Sequence, residues 1–227
     1  MSPRRSTGTP DRDRTRRARL KRLRERGSHD RETIDAILAE GLVCHVGIAV
    51  EGQPFVIPMG YAPYDDGLVL HGSVGSRLMR ALAAGTPACV TVTLVDGIVV
   101  ARSLFHSSMN YRSVVAFGTA RLIEDPTEKA RALEARAVHL IPGRAADARG
   151  VSDAQSQATS VLHFAIEEAS AKVRTGPPID DEEDLDLPVW AGVIPLALTP
   201  GGPEPAPDLP QGTEPPGYVR RYRSRRK

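Results

Sequence analysis

Leu68-Val-Leu-His-Gly-Ser-Val-Gly-Ser-Arg-Leu-Met-Arg80 decides how the rest of the chain is read. An apolar strand runs into a short loop of small and hydroxyl residues, and a basic amphipathic helix starts at Ser76-Arg77. Backbone N–H groups at a helix start, serine hydroxyls and one arginine make a cradle for an anion, and phosphate is the common biological anion that fits. Gly72 and Gly75 let the backbone come close to such a ligand. The same residue types also serve merely to turn a chain between strand and helix. Both readings stand at this point.

Upstream, Thr15–Arg26 is rich in helix formers but has only Leu20 and Leu23 as large apolar residues, a marginal helix. Ser28 or Asp30 caps a better one, Arg31–Glu40, with Ile34, Ile37 and Leu38 on one face and Gly41 at its end. The period then becomes that of strands. Leu42–Val50, a turn at Glu51-Gly52, and Gln53–Tyr61 precede the hairpin signal Tyr64-Asp65-Asp66-Gly67 and the strand Leu68–His71.

Downstream, the helix Ser76–Ala84 stops at Gly85-Thr86-Pro87. Strands over Ala88–Leu94 and Ile98–Ala101 are joined at Asp96-Gly97, a type I′ dipeptide. A polar loop spans 102–112, a strand Ser113–Glu124, and Thr127 caps a helix to about Leu140. A short helix within 144–160, a strand Val161–Lys172, an acidic loop Asp180–Asp184, an apolar strand Val189–Leu198 and a disordered tail 199–217 complete the reading. Some seven β-runs with short turns and inserted helices predict a mainly β fold, an antiparallel barrel with peripheral helices. The domain bounds expected are a basic arm over 1–27, a body over 28–198, and a Pro/Gly-rich then basic tail over 199–227.

The net charge of +2 conceals three regions. Residues 1–27 carry a net +8, residues 218–227 carry +6, and the body between them carries −12. The arms can fold on the acidic body, bind nucleic acid or acidic membrane through salt-sensitive phosphate contacts, or stay solvated. Only non-specific nucleic-acid binding is expected, because aromatic residues among the arms are limited to Tyr218 and Tyr222. Cys44 and Cys89 lie in apolar runs and read as buried small hydrophobes, which with no apolar run of membrane-spanning length predicts a cytoplasmic protein without membrane association.

Phosphate-loop, dinucleotide-fingerprint and paired Cys or His metal motifs are missing, so no metal site is expected. Two places carry chemistry. One is the loop with His71, Gly72, Ser73, Ser76 and Arg77; the other is His106–Ser113, with Asn110, Tyr111, Arg112 and Ser113 in succession. Tyrosine stacks on a planar ring, asparagine meets ring amide edges, and arginine takes a phosphate. A flat heteroaromatic ring with a phosphate tail would use both places; a hydrogen-bonded surface loop is the alternative for the second.

In order and spacing these pieces resemble the pyridoxamine 5′-phosphate oxidase-like flavoproteins with the FMN-binding split-barrel fold, over about residues 14–198. The likeness is to the branch of flavin-nucleotide-binding proteins and 5-nitroimidazole reductases. It rests on Ile57-Pro58-Met59-Gly60, Leu70-His71-Gly72-Ser73 with Ser76-Arg77, His106–Ser113, Lys172-Val-Arg-Thr-Gly-Pro-Pro178 and Pro188-Val-Trp-Ala-Gly192. The resemblance implies a homodimer with FMN in the groove between subunits. Pro58 and Met59 would line the ring, and His71, Gly72, Ser73, Ser76 and Arg77 would hold ribityl and phosphate. Asn110, Tyr111, Arg112 and Ser113 would come from the loop beside the cofactor, and Trp190 would close over it from the partner chain. Met59 stands where the family's oxidase has a lysine, and Leu196 and Leu198 stand where it has residues for the pyridoxal ligand, so pyridoxamine phosphate oxidation is not expected.

The function this implies is an FMN-dependent oxidoreductase acting on a small molecule, with His71 the candidate for proton delivery and Arg112 or a protonated histidine placing positive charge near the flavin. The alternative is a carrier or sensor without turnover, holding flavin, deazaflavin or haem in the same groove, with His71 or His106 as an axial ligand.

Overall fold

Alternation of apolar and polar residues dictates strands along most of this chain, and in the computed structural model, which describes residues 17–222, eight of them form one antiparallel sheet. In chain order the elements are β1 (Gly27–Ser28), α1 (Arg31–Glu40), β2 (Val43–Val50), β3 (Gln53–Tyr64), β4 (Gly67–Ser73), α2 (Arg77–Ala83), β5 (Ala88–Val100) and β6 (Ser108–Leu122). They continue with α3 (Pro126–Leu140), α4 (Asp153–Gln157), β7 (Thr159–Arg174), β8 (Gly192–Pro195) and α5 (Gly217–Arg220). Strand order β7-β4-β3-β2-β5-β6 closes on itself through β6–β7 pairing, while β1 pairs β7 and β8 pairs β5. The fold is therefore mainly β with peripheral helices, a ring of antiparallel strands, as its alternation predicts.

Local chemistry accounts for the joints. Glu51 and Gly52 have φ of 51° and 79°, the two left-handed residues that a tight β2–β3 hairpin requires. Asp65-Asp66 links β3 to β4 in two residues. Asp30 caps α1, its carboxylate accepting from the Thr33 N–H at 2.8 Å, and Ser76 caps α2 by accepting from Met79 N–H. The third helix starts two residues earlier than a cap at Thr127 predicts, because Asp125 takes the cap and Pro126 the first turn.

The ring encloses Val46, Leu68, Leu70, Val90, Val114, Leu162 and Phe164, and the apolar faces of α1 and α2 pack on that core. A second, smaller cluster lies outside the ring, where α3 covers Ala62, Tyr64, Val69 and Val161. Cys44 is buried in the main core, and burial pushes its thiol up to about 12.

Several expectations are corrected. Asp96-Gly97 is a bulge inside one continuous strand, β5, rather than a hairpin, because β6 pairs on both sides of it and β8 joins at Gly97. Residues 108–112 belong to β6 and not to a loop, since the register with β5 runs on through them and that with β7 starts at Tyr111. No helix forms over 17–23; Arg24–Arg26 makes one 3-10 turn, too few apolar residues being present to hold a longer one. The last strand shrinks from 189–198 to Gly192–Pro195.

The tail is not featureless. Tyr218 donates to Asp147 and Tyr222 to the Leu140 carbonyl, so residues 217–222 dock on the end of α3. Part of the basic arm also folds on the body: Arg17 binds Glu167 and Glu168 at a bulge in β7, at 2.9 and 2.7 Å. Residues 1–16 and 223–227, which hold most of the two basic segments, lie outside the described residues. Among the described residues no helix is long and apolar enough to cross a membrane.

Candidate functional site

The ring opens along the first part of β3. Along β3, residues 53–60 pair with β2, but pairing with β4 covers only Tyr61–Tyr64. Beyond His71, β4 continues with β7 alone. A free strand edge thus runs from Gln53 to Gly60, facing the end of β4 and the start of α2. Pro54 and Pro58 suit such an edge, where a missing N–H breaks no ladder bond. Edge carbonyl and amide groups are what the polar rim of a planar heterocycle needs.

The first predicted group gathers at this split. His71 and Ser73 lie on the outer face of β4, and Gly72 is pressed inward, where a Cβ would sit 2.9 Å from Met79 Cγ. Ser73 Oγ accepts from Gly75 N–H, and Ser76 is the cap of α2, so both hydroxyl oxygens organise the turn while their protons stay available to a ligand. Arg77 is exposed, its guanidinium 4.7 Å above the Phe55 ring, with no carboxylate bound to it among the described residues. Ser76, Arg77 and Leu78 enclose with Ile48, Phe55 and Ile57 a cavity of about 230 Å³. The anion-cradle and plain-turn readings therefore coexist: the turn uses the serines as acceptors and leaves the arginine unpaired.

His71 adds an orphaned atom. Its Nδ1 is buried with no hydrogen-bond partner. Burial, then the positive field of Arg136, holds its proton affinity below the usual histidine range. His71 is consequently neutral at pH 7, with one ring nitrogen that a ligand would satisfy.

Arg136 was not among the sequence candidates. It projects from α3, and its Nη2 lies 3.5 Å from where a Gly60 Cβ would be. The signal available was its spacing: one turn after the buried Ala132, it falls on the face that α3 turns toward the sheet.

The second predicted group sits elsewhere and is internally engaged. Asn110 donates to the Gly176 carbonyl and accepts from Arg174. Tyr111 and Ser113 face the other side of β6, Ser113 Oγ donating to the Lys172 carbonyl at 3.4 Å. Arg112 is held from two sides, by Glu40 at 2.8 Å and by Asp96 at 2.8 Å. Those bonds, first to Asp96 and then to Glu40, raise its proton affinity further. Its charge is neutralised within its own chain.

His71 aligns with Val161 of β7 and Arg112 with Val173, twelve positions apart, on the order of 40 Å of strand. Trp190 belongs to the second end. Its indole packs on Gly192, which pairs with Val100 next to the start of β6, and it is 65% exposed. Two other histidines have structural partners: His139 bonds to the Gly41 carbonyl and His106 to Asp181.

Comparison with known proteins places this geometry. The model of the pyridoxamine 5′-phosphate oxidase family matches residues 30–173. The flavocytochrome Anf3 from Azotobacter vinelandii is 41% identical, with 91% of this chain and 96% of that chain covered and a TM-score of 0.85. The FAD- and haem-binding protein from Mycobacterium smegmatis is also 41% identical, with 88% and 98% covered and a TM-score of 0.84. A candidate 5-nitroimidazole antibiotic resistance protein from Bacteroides thetaiotaomicron is 27% identical over 65% of this chain and 86% of its own, with a TM-score of 0.55. No curated protein sequence matches the chain.

Proposed function

Because the chain belongs to the pyridoxamine 5′-phosphate oxidase family, we propose that it binds flavin at the split between β3 and β4, as an FMN moiety, and serves as an oxidoreductase on a small molecule. The observation that carries the reading is the coincidence at one strand break of a free β3 edge, an orphaned His71 Nδ1 and an unpaired Arg77. The two relatives at 41% identity support it, one described as a flavocytochrome and the other as binding FAD and haem.

Pro58 and Met59 would flank the ring with edge backbone groups. Ser73, Ser76 and Arg77 would receive the phosphate. His71, neutral, would hold or pass one proton through Nδ1. The bound flavin would supply the electron transfer that none of these side chains provides.

A homodimer is part of the proposal. The two ligand-type groups stand too far apart along β7 to meet one flavin within a chain, whereas a second copy can bring Trp190 and residues 110–113 beside the first copy's His71. Val43, Val56 and Ile57 near the split and Ile98, Met109 and Ile194 near Trp190 are exposed apolar side chains that such pairing would cover.

Haem is the second reading, favoured by the same orphaned nitrogen and by the haem-binding relative. The visible spectrum of purified protein separates the two, a flavin giving its double band and a haem its Soret band. Arg77→Ala should weaken flavin binding roughly ten- to hundredfold, the effect of removing one charge-assisted contact to phosphate, while leaving the exposed helix start folded. Fluorescence titration with FMN and FAD measures this. A colourless protein that leaves the fluorescence of both flavins unquenched would overturn the proposal.

A further inference from the structure

Arg136 stands out among the partly buried arginines. Arg102, Arg112 and Arg174 each bind a carboxylate, a carbonyl or an amide of their own chain. Arg136 is half-buried and has no hydrogen bond or ion pair among the described residues. A guanidinium drawn partly out of water without a partner is unfavourable unless something else meets it. Its position says where that partner lies. The Nη2 atom lies beside the backbone of Gly60, 3.5 Å from where a Cβ there would be, at the point where β3 loses β4 as a neighbour. The same charge reaches His71, on the strand beyond the gap.

We infer that Arg136 is the cation that faces the pyrimidine edge of the bound flavin ring and raises its reduction potential. The inference rests on the flavin reading above and extends it. Ring and phosphate are separated along the site: Pro58 and Met59 adjoin Gly60, whereas the phosphate-type donors Ser76 and Arg77 lie at the start of α2. Arg136 therefore meets the ring end. A bound flavin would supply the redox chemistry, and Arg136 would hold a fixed positive charge beside the edge where the reduced ring carries negative charge. A fixed positive charge beside that edge binds the reduced form more tightly than the oxidised one. The sequence assigned this role to Arg112 or a protonated histidine; Arg112 is neutralised by Glu40 and Asp96, and His71 is neutral.

The test uses the full chain, with Arg136→Gln and Arg136→Lys. Dissociation constants for oxidised FMN and FAD come from fluorescence titration, and the midpoint potential from equilibration with a reference dye. Arg136→Gln should lower the ratio of reduced to oxidised flavin affinity about tenfold, which is about 30 mV more negative for a two-electron couple. Arg136→Lys should retain most of the wild-type potential. The flavin-free Arg136→Gln protein should be as stable as wild type, since no partner is lost. An unchanged potential in Arg136→Gln, with wild-type protein binding flavin normally, overturns this inference alone. Wild-type protein that binds neither flavin overturns the flavin reading and this inference together.

Discussion

Phe164→Ala is expected to lower the stability of the fold by about 3–5 kcal/mol, the range for removing a fully buried aromatic side chain. At roughly 2–4 °C per kcal/mol for a chain of this size, the melting temperature should fall by about 6–20 °C. Phe164 is wholly shielded from solvent on β7 and is paired in register with Leu68 on one side and Ala120 on the other. Its ring also reaches the space above Gly118, where an added Cβ would lie 3.2 Å from its Cζ. It therefore bridges both walls of the ring, and neither wall can collapse into the void without breaking a ladder. Phe164→Leu, which keeps most of the volume, should lose less than about 1.5 kcal/mol. Urea denaturation with an unchanged slope checks both values; a loss under 1 kcal/mol for the alanine variant would mean that the ring is not packed around this side chain.

Arg112→Met should destabilise by about 3 kcal/mol, toward the lower part of the range for breaking a buried ion pair because the three side chains keep some contact with water. Glu40 and Asp96 converge on the guanidinium from the end of α1 and from the bulge of β5, and their side chains are only 19% and 15% exposed. Removing the arginine leaves two carboxylates facing one another with reduced hydration. The triple variant Arg112→Met, Glu40→Gln, Asp96→Asn should recover most of the loss, because removing all partners together leaves no unpaired charge. Flavin affinity measured on the folded single variant should change less than in Arg77→Ala. A variant of normal stability that had lost flavin would instead make Arg112 a cofactor ligand.

These variants divide what was legible in the sequence from what was not. Strand alternation, the Asp65-Asp66 turn, the cap at Asp30 and the strand–turn–helix at 68–80 are local matters. Each depends on residues within a few positions, and each appears where its pattern predicts. Asp96-Gly97 has the composition of a hairpin turn, yet long-range pairing of β5 with β6 on both sides absorbs it as a bulge. Residues 108–112 look like a polar loop because their polar side chains bond inward, to Gly176, Glu40 and Asp96, and those partners are distant in sequence.

The candidate site shows the same division. Pro58, His71 and Arg77 carry their chemistry in short motifs and could be named at once. Arg136 lies 65 residues beyond His71 and is brought to Gly60 only by the packing of α3 on the ring. Arg112 reads as a free phosphate ligand in one dimension and is a closed ion-pair network in three.

By itself the sequence determined the β-rich class, most element positions and the residue types that suit a phosphate-bearing planar ring, since propensity, capping and turn chemistry act over short range. Only the tertiary structure decided where the ring of strands opens, which arginine keeps a charge to offer there, and that the two halves of the predicted site stand at opposite ends of β7. Those outcomes depend on strand order and on pairings between residues far apart in the chain, and it is this long-range pairing that turned Leu68–Arg80 from a turn between strand and helix into one wall of an open site.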